Sequence, residues 1–337
     1  MKRLGVNLMN KPLPGGDIDT EDSDQPDAKN PLAQDPKPGL KSAQVLFLIV
    51  FLLLIFIGSI AQAWHFEYGM IITQVLIVLL PAIWYWRRYK LNQVQFSRLA
   101  PLELKYLPPI FIMVASFWLL NMIFAGALVL GLMELGFEPI VVIEPPRTLQ
   151  EYLGYLLVLS VFAGICEEVL FRGTIMPSME GHGLVPAIVY SSLLFALLHG
   201  SLLNLVSTFT LGLIMAVIVI KTGSLWAGII YHMLNNFIAA TYLYLAGQNE
   251  LTAAVEVDPR GYLAVLPLLV LGVAGAWFSL TLLHRQSGAA PLLKNRSGWL
   301  PRGWLYWPFI AGLVIYAFLA FFELAIGFSW INLPGLY

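Results

Sequence analysis

Charge is scarce in this sequence. Asp, Glu, Lys and Arg make up 12% of its 337 residues, about half the roughly 25% of an ordinary soluble domain, while 58% are hydrophobic. That shortage excludes a soluble globular protein. Cysteine is nearly absent: Cys166 stands alone, so an intrachain disulfide and any CxxC metal pair are excluded, and a small buried residue is its plainest reading. Basic excess is missing too. With a formal net charge of −1 there is no footprint for nucleic acid. Strand-like alternation of polar and apolar residues is also lacking, which excludes a transmembrane β-barrel.

What is present is a series of runs free of charged residues: 42–66, 68–86, 106–133, 181–220, 222–249, 261–284 and 303–322. About 20 apolar residues in a helix cross a hydrocarbon core, and lipid obliges the backbone to satisfy its own hydrogen bonds. The sequence therefore reads as all-α, a polytopic membrane protein with about 8–9 transmembrane helices. Candidate spans are 43–64, 69–86, 109–134, 151–178, 185–200, 203–220, 224–245, 262–284 and 306–328; the fifth is short. The expected organisation is a disordered cytoplasmic tail at 1–41, N-terminal helices at 42–149, a core at 150–245 and C-terminal helices at 246–337. The tail is rich in Pro, Gly and Asp, with almost nothing to bury. Its lack of an early apolar core argues against a cleaved signal and for a retained anchor starting at Ser42.

Lys and Arg set the orientation. A cytoplasmic N-terminus puts Arg87, Arg88, Lys90, Arg98, Lys105, Arg172, Lys221, Arg285, Lys294, Arg296 and Arg302 inside, leaving Arg147 and Arg260 outside. This is the positive-inside bias of a multi-pass protein, and a bacterial inner membrane is the expected location. Trp64, Trp84, Trp86, Trp304, Trp307 and Trp330 fall near span ends as interfacial anchors. Residues 91–105 read as an amphipathic segment along the cytoplasmic surface.

Ionisable groups inside apolar helices are costly, and so are functional candidates. In GICEEVLFRG, Glu168 and Arg172 are four apart and share a helix face, while Glu167 points about 100° away. One carboxylate is then held by the guanidinium and the other is free for chemistry. In SSLLFALLHG, Phe195 and His199 share a face. Glu167 lies sixteen residues before Gly183 and His199 sixteen after it, so a helical hairpin turning at EGHG brings them to one depth, unless Pro186 kinks it. In LWAGIIYHMLNN, His232 and Asn236 are four apart and Asn235 is rotated away.

Taken singly, these groups fit packing contacts or an ion-pair cluster. Together they suit amide hydrolysis, which needs a deprotonated water, an oxyanion site and a proton for the leaving amine. Glu167 with His199 can activate water; His232 and Asn236 can donate to the oxyanion. No serine or cysteine stands beside a histidine as an obvious nucleophile. A zinc site of one Glu and two His is conceivable, but HExxH is absent and Glu168 is committed to Arg172. No metal and no cofactor are expected.

EEVLFR, FALLH and HMLNN match EExxxR, FxxxH and HxxxN signatures, in the order and spacing of the CPBP family of membrane proteases, also called ABI, which includes type II CAAX prenyl proteases and bacteriocin-processing proteins. The resemblance covers roughly 150–245. It implies an intramembrane endopeptidase with a cavity opening toward the cytoplasm, Glu167 as catalytic glutamate, His199 as the water-activating histidine, His232 and Asn236 at the oxyanion, and Glu168 and Arg172, with Phe195, in support. The expected partners are the lipid bilayer and a peptide or protein substrate of unspecified identity, with no nucleic acid. A proton-coupled transporter using the same groups as a relay, and a non-catalytic membrane scaffold or immunity protein, are the alternatives.

Overall fold

The computed structural model describes residues 38–139, 143–248, 261–288 and 304–331. Most of the 1–41 tail lies outside the described residues, as do Arg260, Lys294, Arg296 and Arg302. Nine helical rods stand among the described residues: α1 Leu40–Trp64, α2 Phe66–Arg88, α3 Leu104–Met133, α4 Leu149–His182, α5 Leu184–Leu198, α6 Leu205–Thr222, α7 Leu225–Gln248, α8 Gly261–Ser287 and α9 Trp307–Gly327. All but α5 and α7 are long and apolar enough to cross a membrane. Helix α5, at 15 residues, is about 22 Å long, short of a hydrocarbon core of about 30 Å. Helix α7 is long enough, but it carries His232, Asn235 and Asn236, and its apolar character is diluted by them.

Helix α4 is the axis of the bundle, packed against α1, α2, α5 and α7. Its start follows from local chemistry: Thr148 accepts from the Glu151 N–H, and the Glu151 carboxylate reaches back to the Thr148 and Arg147 N–H groups. This reciprocal cap satisfies donors that a helix start leaves orphaned. At 34 residues it spans about 51 Å, so one end overshoots a bilayer core. Two wide π turns, Leu156–Phe162 and Phe171–Ile175, flank the regular segment Ala163–Leu170 that carries the acidic doublet. The second precedes Pro177, which has no N–H to give to Gly173 four residues back. The Gly173 carbonyl instead accepts from Ser97 Oγ at 2.5 Å and Trp86 Nε1 at 3.3 Å. Helix α2 repeats the pattern, with a π turn at Thr73–Leu79 ahead of Pro81.

Residues 91–105, expected as an amphipathic segment along the surface, hold single turns at Gln93–Phe96 and Leu104–Tyr106 and otherwise form a strap across helix ends. Arg98 pairs with Glu180 at 2.8 Å, its carbonyl accepts from the Leu225 N–H at 2.7 Å, and the Ala100 carbonyl accepts from Ser224 Oγ at 2.7 Å. The strap thus binds α4 through the Ser97 and Arg98 side chains and the start of α7 through two backbone carbonyls. Trp86 is buried rather than an interfacial anchor, because its indole N–H serves Gly173; Trp64, Trp84, Trp307 and Trp330 are exposed. Pro186 does not kink the hairpin, since it occupies the first turn of α5, where its missing N–H costs nothing.

Helix α8 lies against α3. A Cβ on Gly275 would run into Ser116 Oγ and one on Gly272 would sit 2.9 Å from Leu120. Small residues let these two backbones approach where lipid supplies no hydrophobic drive.

Candidate active site

The acidic doublet splits as its spacing requires. Glu168 is fully buried and its Oε1 accepts from Arg172 Nη1 at 2.6 Å. The guanidinium is also fully buried, donates from Nη2 to the Gly212 carbonyl at 2.9 Å, and lies 4.6 Å from the centre of the Phe195 ring. His232 reaches the same carboxylate oxygen from α7, with Nδ1 3.3 Å away. Close approach of α7 to α4 makes this possible: a Cβ on Gly228 would lie 2.8 Å from Glu168 Oε2, and one on Gly164 would lie 2.6 Å from Met233 Cγ.

That contact also settles the depth of α7. Glu168 is fifteen residues from the turn at Gly183, whereas His232 is nine from Gly223, so the α4–α5 turn stands about 9 Å beyond the α6–α7 turn. The strap fills this step.

Phe195 joins the three motifs. It is fully buried, and its ring meets Phe171 at 5.2 Å, His199 at 4.8 Å and His232 at 5.9 Å, all edge-on, with the Arg172 guanidinium over it. His199 sits at the very end of α5, which Gly200 terminates at φ +66°. The last turn tightens so that the His199 N–H bonds Ala196, and the Phe195 carbonyl is free to meet His199 Nδ1 at 2.8 Å. A carbonyl only accepts, so Nδ1 carries the proton and Nε2 of the neutral ring is the acceptor.

Glu167, His199, His232 and Asn236 line one cavity of about 700 Å³, together with Asn235 from α7, Asn204, Ser207 and Leu211 beside α6, and Trp118 and Met122 from α3. Asn236 is oriented by its neighbours: Nδ2 donates to the Leu159 carbonyl at 2.8 Å and Oδ1 accepts from Asn235 Nδ2 at 3.1 Å. Asn235 is therefore not turned away as expected; neighbouring residues on a helix wall that forms the side of a wide cavity both border it. Ser191 and Ser192 are buried and donate to the Ile188 carbonyl. Among the described residues no three of His, Cys, Asp and Glu gather as a metal-binding group.

The cavity extends from the buried Glu167 and His232 past Met70, Ile143, Tyr242 and Leu243, which lie toward the α1–α2 and α3–α4 connections. The basic residues 87–105, Lys221 and Arg285 lie at the opposite end of the bundle.

Two site contributors had no signal beyond being polar in an apolar helix. Gln74 on α2, 4% exposed, donates from Nε2 to Glu167 Oε1 at 2.8 Å. Glu323 on α9 accepts from Ser201 Oγ at 2.7 Å and from the Leu202 N–H, while Tyr316 donates to the Ser201 carbonyl at 3.1 Å. Helix α9 therefore grips the chain two residues past His199. Hydrogen bonds to a charged group contribute about 1.5–3 kcal/mol, so Glu323→Leu should speed amide exchange at 200–203 at least about tenfold, with Glu323→Gln intermediate and the exchange of α3 unchanged. Hydrogen–deuterium exchange mass spectrometry measures it.

Residues 149–238 match the family model described as Type II CAAX prenyl endopeptidase Rce1-like. This segment holds Glu167, Glu168, Arg172, Phe195, His199, His232 and Asn236, and it coincides with the stretch whose three motifs resemble the CPBP family. Neither the curated proteins nor the solved structures include a match to the chain. The helices and the matched protease family together make this an integral multi-pass membrane protein.

Proposed function

We propose that the protein is an intramembrane endopeptidase that hydrolyses a peptide bond with a water activated by Glu167 and His199. The observation that carries this reading is the convergence of Glu167, His199, His232 and Asn236 on one cavity. In the proposed reaction, Glu167 Oε2, which no protein donor among the described residues claims, takes a proton from water while His199 Nε2 accepts its second hydrogen in a hydrogen bond. The water oxygen bonds to the carbonyl carbon. Breakage of the carbon–nitrogen bond follows as the Glu167 proton passes to the leaving nitrogen.

The oxyanion would be met by Asn236 Nδ2 and His232 Nε2. To donate from Nε2 while Nδ1 faces Glu168, His232 must carry a proton on both nitrogens, and the Glu168 carboxylate is the counter-ion at hand. Phe195 supports the arrangement by packing against both imidazoles and Arg172. The apolar wall from Trp118, Met122, Leu159 and Leu243 suits a substrate presented by a hydrophobic segment. A fluorogenic farnesylated peptide ending in a CAAX sequence is the probe the family match suggests. Cleavage of it by the purified protein, lost in Glu167→Gln, supports the reading; no cleavage of this probe or of membrane peptides compared in cells with and without Glu167 overturns it.

The Lys and Arg bias supports a cytoplasmic N-terminus in a bacterial inner membrane. In this orientation the α3–α4 connection with Ile143 faces out of the cell and the segment with Gln93 faces the cytoplasm. A membrane-impermeant maleimide applied to intact cells should then label Ile143→Cys, with Gln93→Cys labelled only after lysis; the buried Cys166 keeps the parent chain blank. The reverse pattern would overturn the orientation.

A further inference from the structure

We infer that Gln74 is a positioning residue for Glu167, holding one carboxylate oxygen so that the other is presented to water. The inference rests on the proteolytic reading, and Gln74 lies outside the matched segment 149–238.

The geometry is specific. Gln74 comes from α2 and meets Glu167 across 93 residues of chain. Its Nε2 donates to Oε1 at 2.8 Å, and Oε2 is left without a protein donor among the described residues. The two oxygens of an isolated carboxylate are equivalent, and this single bond makes them different. An amide donor does so without cancelling the charge: an Arg or Lys in its place would form an ion pair and leave a weaker base.

A purely structural role explains less. The carbonyl oxygen of Gln74 is itself buried without a partner among the described residues, which costs free energy that an apolar residue would not incur. Leucine would fill the same room between α2 and α4 with no polar atom to satisfy. The backbone beneath is also shaped for the contact, since Gln74 stands on the π turn Thr73–Leu79, where the extra residue per turn re-aims a side chain. Glu168, one residue on, shows the contrast. It is held by a guanidinium and an imidazole, an arrangement suited to a fixed counter-ion rather than to a base.

The test compares Gln74→Leu with the parent chain and with Gln74→Glu, each purified whole in detergent, using the fluorogenic farnesylated CAAX peptide and difference infrared spectroscopy. Gln74→Leu should keep its melting temperature, keep KM within about twofold and lower kcat by about tenfold or more. Gln74→Glu, of the same shape but facing Glu167 with a second carboxyl group, should lose at least as much. The carboxylate band assigned to Glu167, by its disappearance in Glu167→Gln, should shift in Gln74→Leu. An unmoved band, or kcat within twofold of the parent, overturns the inference even if the protein is a protease. No cleavage by the parent chain overturns the proteolytic reading instead, and the infrared comparison still reports on the hydrogen bond.

Discussion

Glu167→Gln is expected to abolish peptide cleavage, with kcat down by about 10²–10⁴-fold, the range that a positioned general base contributes, while the protein folds and purifies as before. The substitution keeps the shape of the side chain and a carbonyl oxygen at the Oε1 position, so Gln74 Nε2 retains its acceptor at 2.8 Å. What is lost is the basic lone pair at Oε2, because an amide NH₂ group cannot take a proton from water. The loss should appear in kcat with little change in KM. Thermal unfolding should be within a few tenths of a kcal/mol of the parent. Retained turnover would remove Glu167 from the reaction, and a collapsed fold would show that it serves the bundle instead.

Arg172→Leu has the largest expected effect on stability. Arg172 and Glu168 are both fully buried, and the pair also engages the Gly212 carbonyl and His232. Removing the guanidinium leaves the buried Glu168 carboxylate with the longer His232 contact alone, and breaking a buried pair in this way costs about 3–5 kcal/mol. The Gly212 carbonyl loses a donor as well. The double variant Glu168→Leu with Arg172→Leu should recover most of that loss, since two apolar residues leave no buried charge. It should nevertheless stay inactive, because His232 would then have no counter-ion. Unfolding in a denaturing detergent, followed by circular dichroism, separates the three chains. A single variant as stable as the parent would mean that water already reaches this pair.

The spans were legible because crossing a hydrocarbon core is a local property, written in one continuous apolar stretch. The candidate 203–220 corresponds to α6 at Leu205–Thr222 and 262–284 to α8 at Gly261–Ser287. The pairing of Glu168 with Arg172 was legible for a similar reason, since helical spacing alone puts residues four apart on one face. Gln74 and Glu323 were not legible. An amide or carboxyl group within an apolar run signals only that some partner exists, and the partner is chosen by packing between helices far apart in sequence: 93 residues for Gln74, 121 or 122 for Glu323. The contacts of the strap at 91–105 were not legible either, since Ser97, Arg98 and Ala100 find their partners on α4 and at the start of α7, 76 to 127 residues away in sequence.

By itself, the sequence determined that the protein is helical and embedded in a membrane, and which polar side chains share a face of α4, α5 and α7, since both follow from apolar run length and from 3.6 residues per turn. The tertiary structure decided which carboxylate is gripped by whom, that Asn235 borders the cavity beside Asn236, and which side chains of α2, α3 and α6 complete its wall. Those depend on how far α5 and α6 reach into the bundle and on how closely glycines let α7 approach α4, quantities that arise only when helices meet.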